Sequence, residues 1–266
     1  MPPSPTGPPV GTLLRDWRQR RRLSQLDLSN EAGVSARHLS FLETGRSRPS
    51  REMVLHLAAR LDVPPRDRNH LLLAAGFAPA FAARDLEDPE MAAIRDAIEL
   101  VLAGYEPYPA VVVDRSWCIV AANRAVGVLT EGVAPHLLEP PRNALRLSLH
   151  PEGMAPRIVN LAQWRGHLLH RLAREAAIGG APDLAALHDE LAAYPGGADP
   201  APQDGIAVPL QLRHGLDELA FLSTVTTFGT AIDITVSELS IEAFLPADRT
   251  TARAVAALLP PTEAGQ

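Results

Sequence analysis

Residues 24–43 read SQLDLSNEAGVSARHLSFLE and contain two short helix patterns joined by a turn. Ser24 and Ser35 are of the residue types that cap helix N-termini, and Asp27 lies in a first turn, where the helix dipole favours negative charge. Gly33 suits the left-handed residue that ends a helix. Two helices connected this closely predict a helix-turn-helix.

The flanking sequence predicts three further helices around this pair. One begins at the cap Thr12 and ends near Arg20, one begins at the cap Ser50 and ends at Leu61, and one opens at Pro64 and ends before Gly76. The core of this five-helix domain is predicted from apolar residues at helical spacing: Leu28, Val34, Leu39 and Leu42.

The second helix of the pair carries the side chains that predict DNA binding. In a helix-turn-helix this helix enters the major groove and reads bases with its N-terminal residues. Arginine donates a bidentate pair of hydrogen bonds to guanine. The outward-facing candidates are Gln25, Arg37, His38 and Phe41, and Arg46 and Arg48 follow the helix at positions suited to phosphate contacts.

Charge is distributed unevenly along the chain. Residues 1–75 hold 12 arginines and 7 acids, a charge of +5, while residues 76–266 hold 13 arginines and 24 acids, a charge of −11; together they give the net −6. A basic segment on an acidic body indicates a nucleic-acid-binding head. All 25 basic residues are arginine, which excludes a Walker A loop and Schiff-base or general-base lysines. The single cysteine, Cys118, excludes a disulfide framework and cysteine-based zinc sites.

The N-terminal segment resembles the xenobiotic-response-element family of helix-turn-helix regulators, which is related to phage Cro and repressor proteins. The matching residues, spread over about 65 positions, are Leu23-Ser24-Gln25, Leu28, Ala32-Gly33-Val34-Ser35, Leu39-Ser40, Leu42-Glu43, Gly45, Arg48-Pro49-Ser50 and Leu57-Ala58. The resemblance implies backbone contacts from Gln25 and base reading by Ala36, Arg37 and His38, and the predicted interface also includes the cap Ser35. Phe41 stands where many members carry a polar base-reading residue, and it suits a thymine methyl group. The alternative is a helical domain that has lost DNA binding and binds protein.

The rest of the chain predicts a mixed domain, so that the whole fold is α+β. Residues 85–103 predict a connecting helix, and 110–114 with 117–121 a hairpin around Arg115 and Ser116. Asn123 starts a short helix, and further helices are predicted at 158–176, 182–193 and 248–259, with strands at 206–213, 219–227 and 239–244. A hairpin, then helices, then an antiparallel meander is typical of a PAS-like sensor domain with a pocket between sheet and helices.

This body resembles the ligand-binding domain of MmyB-like regulators from actinobacteria. The matching text is residues 108–117 with Ala122-Asn123-Arg124-Ala125, and residues 66–79 also look like that family. The resemblance implies a fatty acid or similar lipid in the sheet cavity. The predicted ligand-binding residues are Trp117, Asn123, Leu161, Trp164, Arg165, His167, Leu168, Phe221 and Val225, of which Asn123, Arg165 or His167 would bind a carboxylate. The alternative is that these residues simply pack together without a cavity.

The sequence thus predicts a transcriptional regulator with these parts: a disordered tail at 1–10, a DNA-binding domain at 11–79, a connecting helix at 80–104, a ligand-binding domain at 105–260 and a tail at 261–266. Its predicted partners are a near-palindromic operator in double-stranded DNA, an apolar small molecule and a second copy in a homodimer. We expect no cofactor, no metal and no membrane span, and the N-terminus predicts a cytoplasmic protein. No catalytic cluster is visible; the alternatives are an enzyme fused to a DNA-binding head, or a protein-interaction module.

Overall fold

The computed structural model describes residues 8–179, 182–197, 207–229 and 231–259, which fold into two compact units. One unit takes the described residues through Asp85 together with 231–237. The other takes the remaining described residues from Leu86 onwards. The predicted tails at 1–10 and 261–266 lie outside the described residues except for 8–10.

The first unit contains the five predicted helices. They are α1 (Val10–Arg20), α2 (Gln25–Ala32), α3 (Ala36–Glu43), α4 (Arg51–Arg60) and α5 (Pro65–Ala74). The predicted cap Ser24 is confirmed, because its side chain accepts a hydrogen bond from the Asp27 amide and the Asp27 carboxylate in turn accepts one from the Ser24 amide. Gly33 follows α2 in the left-handed conformation, with φ of 63°. The side chains of Ser35 and Ser50 cap α3 and α4 by accepting hydrogen bonds from the His38 and Met53 amides.

Leu28, Leu39 and Leu42 are buried in the core of this unit as predicted, and Val34 packs partly buried against it. The predicted start of α1 is wrong, because the helix begins at Val10, so that Thr12 lies inside it rather than at its cap. The earlier start brings Gly11 against α3: a Cβ atom there would lie 2.3 Å from the carbonyl oxygen of Leu42.

A short helix from late in the chain completes the first unit. It is α11 (Ile234–Ser237), which the sequence did not predict. The Ile234 amide donates to the carbonyl oxygen of Ala82 at 2.8 Å, and Asp233 pairs with Arg84 at 3.0 Å. The Thr235 hydroxyl donates to the Arg84 carbonyl at 2.6 Å. These contacts fix 231–237 to the residues that follow α5.

The second unit is built on a five-stranded antiparallel sheet of order β2-β1-β5-β4-β3 within the described residues. Its strands are β1 (Ala110–Val113), β2 (Ile119–Ala122), β3 (Leu210–His214), β4 (Asp217–Thr227) and β5 (Ser240–Pro246). Its helices are α6 (Ala92–Gly104), α7 (Val126–Thr130), α8 (Ala144–Leu149), α9 (Leu161–Gly179), α10 (Pro182–Ala192) and α12 (Arg249–Leu258). The predicted α+β fold and antiparallel sheet are confirmed.

Both faces of the sheet are covered, and alternate strand residues divide between them. Val111 and Val113 of β1 face a large core that includes α9 and α10. Ala110 and Val112 face a smaller core formed with Ile98 and Leu102 of α6. A strand buried on both faces needs apolar residues at every position, which explains the unbroken run in β1.

Several predicted boundaries in this unit are wrong. The helix predicted at 85–103 begins at Ala92 and belongs to the second unit, because its apolar side packs on the sheet. The helix predicted from Ile158 begins at Leu161, since Ile158 forms a β-bridge with Leu212. The short helix placed at Asn123 begins at Val126, and α8 was not predicted. The predicted start of β3 at Ile206 lies outside the described residues, and the described strand starts at Leu210.

Candidate DNA-binding and ligand-binding sites

The exposed side of α3 brings together several predicted DNA-binding residues. Phe41 lies between two arginines, with the Arg37 guanidinium 5.3 Å and that of Arg46 5.9 Å from its ring centroid. Both arginines are exposed, as is Arg48 in the loop before α4, whereas His38 is half-buried. Cation–π contacts of this kind hold guanidinium groups over an aromatic ring without using their N–H donors. The donors therefore stay available for base edges and phosphates.

Ser35 and Ala36 lie at the N-terminal end of the same helix. The Ser35 side chain accepts a hydrogen bond from the His38 amide at 3.1 Å, so its oxygen is engaged in capping. Helix N-termini carry amides and a partial positive charge that suit phosphate binding. The N-terminal end of α3 therefore presents groups for both phosphate and base contacts.

Gln25 differs from the other predicted contacts, because its side chain already binds within the unit. Its amide nitrogen donates to Glu43 at 2.8 Å, and Arg18 donates to both oxygens of the same carboxylate at 2.7 and 2.9 Å. Burial alone would raise the pKa of Glu43, but the hydrogen bonds and positive charge of Arg18 and the hydrogen bond from Gln25 hold that pKa below its usual value. This cluster ties α1, α2 and α3 together behind the exposed surface.

The second unit contains a cavity of about 60 Å³ between the sheet and helices α7, α8 and α9. Most of its lining is apolar, and the aromatic part comes from Trp117, Trp164 and Phe244. Leu168 of α9 and Val111 of β1 add to the lining. The polar residues that line it are Thr130, Ser148 and Glu242.

A charged cluster lies at the cavity, centred on Arg171. Its guanidinium lies 4.4 Å from the Trp117 ring centroid, 2.6 Å from Glu242 and 3.0 Å from Glu175. Glu175 also accepts a hydrogen bond from the Trp117 indole at 2.9 Å. Burial opposes the charged form of Arg171, but the two carboxylates raise its pKa above the usual value. The cluster joins α9 to β5 and fixes one of the aromatic rings of the lining.

Trp164 is also fixed by polar contacts. Its indole donates to the Ser148 hydroxyl at 3.0 Å, and its ring stacks on His167 with centroids 5.8 Å apart. Burial, followed by the charge of Arg171, lowers the pKa of His167. The imidazole is therefore neutral near pH 7 and adds no cation beside the cavity.

Comparison with protein families assigns both units. A family model described as the MmyB-like transcription regulator ligand binding domain matches residues 94–258, which is more than half of the chain. The chain belongs to the MmyB-like transcription regulators. A second model, described as a helix-turn-helix domain, matches residues 9–71 of this regulator. A search of curated proteins returns no significant match. The two matched domains are those of a ligand-responsive, DNA-binding transcription regulator.

The predicted ligand-binding residues of this MmyB-like regulator occupy three kinds of place. Trp117, Trp164 and Leu168 line the cavity. Four others lie outside the lining: Leu161 and His167 are half-buried, Phe221 is fully buried in the core, and Val225 is 46% exposed.

Asn123 and Arg165 hold backbone groups rather than lining the cavity. Asn123 donates to the carbonyl oxygens of Leu102 and Tyr108 and accepts from the Ala110 amide, so it joins the end of α6 to β1. Arg165 donates to carbonyl oxygens that include those of Ala192 and Tyr194 at the end of α10. A cation at this helix end complements its dipole.

Glu242, Arg171 and Glu175 are absent from the sequence-based prediction of this site. The available signal was Glu242 itself, the single charged residue between Leu239 and Phe244 in a strand that is otherwise largely apolar. A charge in such a strand is expensive to bury unless it is paired. Its partner on α9 is distant in sequence, and only the fold brings the two together.

Two further observations concern metals and membranes. Ligand atoms of His136, His150 and Glu152 lie within 4.8 Å of one another, and the side chains of His136 and Glu152 are exposed. They do not line the cavity. None of the helices in the described part of the chain is both long and apolar enough to cross a bilayer.

Proposed function

We propose that this MmyB-like regulator binds a specific, near-palindromic site in double-stranded DNA as a homodimer, and that an apolar small molecule bound in the second unit changes its regulatory state. The observation that carries the proposal is the aromatic-lined cavity in one unit of a chain whose other unit exposes arginines on a helix-turn-helix. The apolar class includes the fatty acids that the family resemblance implies. Its place of action would be the cytoplasm.

The DNA part of the proposal rests on the exposed side of α3. Arg37, Arg46 and Arg48 are exposed, so no burial opposes their contact with a duplex. The buried Arg18–Glu43 pair holds α3 from behind and pre-orders this surface. Selection of binding sites from fragmented genomic DNA tests it; an enriched, two-fold-symmetric motif is expected, and no enrichment would favour a protein-interaction module.

The ligand part follows from the size of the cavity. A cavity of roughly 150 Å³ accommodates benzene, and the present one measures about 60 Å³. A long apolar chain therefore fits only an expanded arrangement in which lining side chains move apart. A ligand shifts an equilibrium only if it binds two arrangements with different affinity, and an effector that requires expansion meets that condition. Denaturing extraction and mass spectrometry of the purified protein test it; absence of any extracted apolar molecule, with no thermal shift by added C12–C18 compounds, would contradict it.

The dimer follows from the small size of one head. A single helix-turn-helix reads too few base pairs to select one genomic locus, whereas two heads read half-sites about one helical turn apart. Residues 76–266 carry a charge of −11 and repel phosphate, so dimerisation is the contribution they are suited to make. Analytical ultracentrifugation with and without the selected DNA tests this; a monomer in both conditions would refute it.

A further inference from the structure

The connection between β4 and β5 contributes to both units of the protein. The chain leaves the second unit after Gly229, adds residues 231–237 to the first unit and returns at Glu238. This docked segment contains α11, whose Ile234 and Val236 are buried, with 3% and 5% exposure. Removing apolar side chains from water stabilises a contact of this kind. A piece of the sheet-forming chain is therefore built into the helix-turn-helix unit.

Polar contacts fix the docked segment to the residues that follow α5. The Ile234 amide donates to the carbonyl oxygen of Ala82 at 2.8 Å, and the Thr235 hydroxyl donates to that of Arg84 at 2.6 Å. The guanidinium of Arg84 donates to the carboxylate of Asp233 at 3.0 Å. Backbone, hydroxyl and charged groups thus hold the same short stretch, so the docking is specific.

Asn69 of α5 extends this path into the helix-turn-helix core. Its side-chain oxygen accepts hydrogen bonds from the amides of Ala80 and Phe81 at 2.8 and 3.1 Å, and its amide nitrogen donates to the Phe81 carbonyl at 2.7 Å. Asn69 is 8% exposed, and the nearby Leu71 and Leu72 are buried in the core that α5 shares with α1 and α3. A displacement of the docked segment therefore reaches α5 through fixed backbone rather than through a free linker.

The C-terminal end of the docked segment leads directly into the wall of the cavity. The strand β5 begins at Ser240, three residues after α11 ends at Ser237, and its Glu242 and Phe244 line the cavity. Because β5 is paired with β1 on one side and with β4 on the other, its backbone moves with the sheet. The cavity of about 60 Å³ is too small for a long apolar chain, so an effector must move the lining apart. Part of that lining lies on the strand that continues from the docked segment.

We propose that the docked segment couples the two activities of this regulator: an effector that expands the cavity displaces β5, weakens the docking of residues 231–237 and thereby changes the affinity of the first unit for DNA. This inference rests on the proposed function, since it takes an apolar effector and a DNA site as given. It adds the route between them. Coupling of this kind requires that the docked and undocked arrangements bind the effector with different affinity, and it makes DNA change the affinity for the effector by the same factor.

A matched pair of substitutions in the docked segment tests the coupling in the full-length protein. Ile234→Ser places a hydroxyl at a buried position and weakens the docking, whereas Ile232→Ser makes the same change at a side chain that is 77% exposed. Dodecanoic and hexadecanoic acid are the probes, and their binding is followed by the fluorescence of Trp117 and Trp164, which line the cavity. Fluorescence anisotropy measures the affinity for the DNA site selected from genomic fragments, with and without each probe.

The coupling predicts a different response from each variant. A probe should change the DNA affinity of the unmodified protein and of Ile232→Ser by about fivefold or more, and it should leave that of Ile234→Ser unchanged, although all three bind it. A folded Ile234→Ser protein that binds the probe and responds like the unmodified protein overturns the inference and leaves the proposed function standing. If neither probe changes the DNA affinity of the unmodified protein, the ligand part of the proposed function fails, and the inference fails with it.

Hydrogen exchange in the unmodified protein decides the inference even if Ile234→Ser does not fold. The Ile234 amide is hydrogen-bonded to Ala82 in the docked arrangement, so binding of a probe should speed its exchange by about fivefold or more. The amides of α2 are the control, and their exchange should stay the same because the helix itself does not open. An unchanged rate at Ile234, in a protein whose DNA affinity responds to the probe, overturns the inference.

Discussion

Each unit of this regulator buries an arginine–glutamate pair, and the two pairs differ in how completely they are satisfied. In the N-terminal unit both oxygens of Glu43 accept hydrogen bonds from Arg18, and Gln25 adds a third. In the C-terminal unit one guanidinium, that of Arg171, serves two carboxylates, and one of these, Glu242, borders a cavity.

The difference shows what each buried charge can contribute. A saturated pair that joins three helices fixes their geometry, and it has little capacity left for a ligand. In the pair beside the cavity, one guanidinium is divided between two carboxylates, so each carboxylate is less completely satisfied than Glu43. The first arrangement suits a unit that must present a fixed surface, and the second suits a unit that must respond to what enters it.

The largest effect is expected from breaking the saturated pair. Glu43→Ala leaves Arg18, with only 10% of its side chain exposed, without its carboxylate, and we expect a loss of about 3–5 kcal/mol in the free energy of unfolding of the N-terminal unit. Urea-dependent hydrogen exchange of the α1–α3 amides measures this unit separately from the other. The control Glu31→Ala, at an exposed position, should change it by less than about 0.5 kcal/mol. Equal effects of the two variants would mean that the pair does not fix this unit.

The next largest effect is the loss of stability when either of two leucines, one helical turn apart on α9, is truncated. Leu172 is 0% exposed and does not line the cavity, whereas Leu168 lines it. We expect Leu172→Ala to cost about 3–4 kcal/mol and Leu168→Ala about 2 kcal/mol, because a side chain beside a void has fewer contacts to lose. Chemical unfolding of the C-terminal unit measures both. A larger cost at Leu168 would mean that the cavity is packed closed in solution.

On the DNA side, smaller effects should separate base reading from phosphate contact. Arg37→Ala should weaken binding to the selected site by about 1–3 kcal/mol and relax the preference at one base pair. Arg48→Ala should weaken all sequences alike and lower the salt slope by about one. Fluorescence anisotropy at several salt concentrations measures both variants. If Arg37→Ala weakens the binding of all DNA sequences equally, Arg37 does not read bases.

The smallest effect is a dependence of the stability of the N-terminal unit on pH, which arises from the Arg18–Glu43 pair. Glu43 has a folded-state pKa below its usual value of 4.5, so its stabilising contribution is complete above about pH 4.5 and is lost as pH falls through the folded-state pKa. The N-terminal unit should therefore lose stability in acid, and Glu43→Gln should reduce that dependence. Hydrogen exchange of the α1–α3 amides across this range measures it, and an unchanged acid dependence in the variant would assign the effect to other groups.

Local signals in the sequence predicted the N-terminal helices well. Ser24, Ser35 and Ser50 cap helices through hydrogen bonds to amides a few residues away, so the sequence itself contains both partners. The start of α1 was missed because Pro9 precedes the helix without a side-chain cap. A helix start can therefore be predicted from the sequence where a nearby side chain caps it, and is missed where no side chain does.

The ligand site was less predictable, because its decisive contacts are long-range. The sequence predicted a pocket between the sheet and the helices, yet part of the apolar run at 110–113 packs against α6 on the other face of the sheet. Three residues of the lining, Trp117, Trp164 and Leu168, were predicted from the sequence, because they are apolar and lie on predicted elements. The pairing of Glu242 with Arg171 depends on strand register and helix placement, which a single sequence does not specify.

The short helix α11 has a practical consequence for dissecting the protein. A fragment that ends at Asp85 keeps all five helices of the helix-turn-helix domain but loses Asp233, Ile234 and Thr235, which bind residues 82–84. The folded N-terminal unit is thus not one continuous piece of the gene. A truncation designed from the helix-turn-helix match alone would remove part of the unit it was meant to isolate, and a weakly folding fragment would say nothing about the affinity of the intact head for DNA.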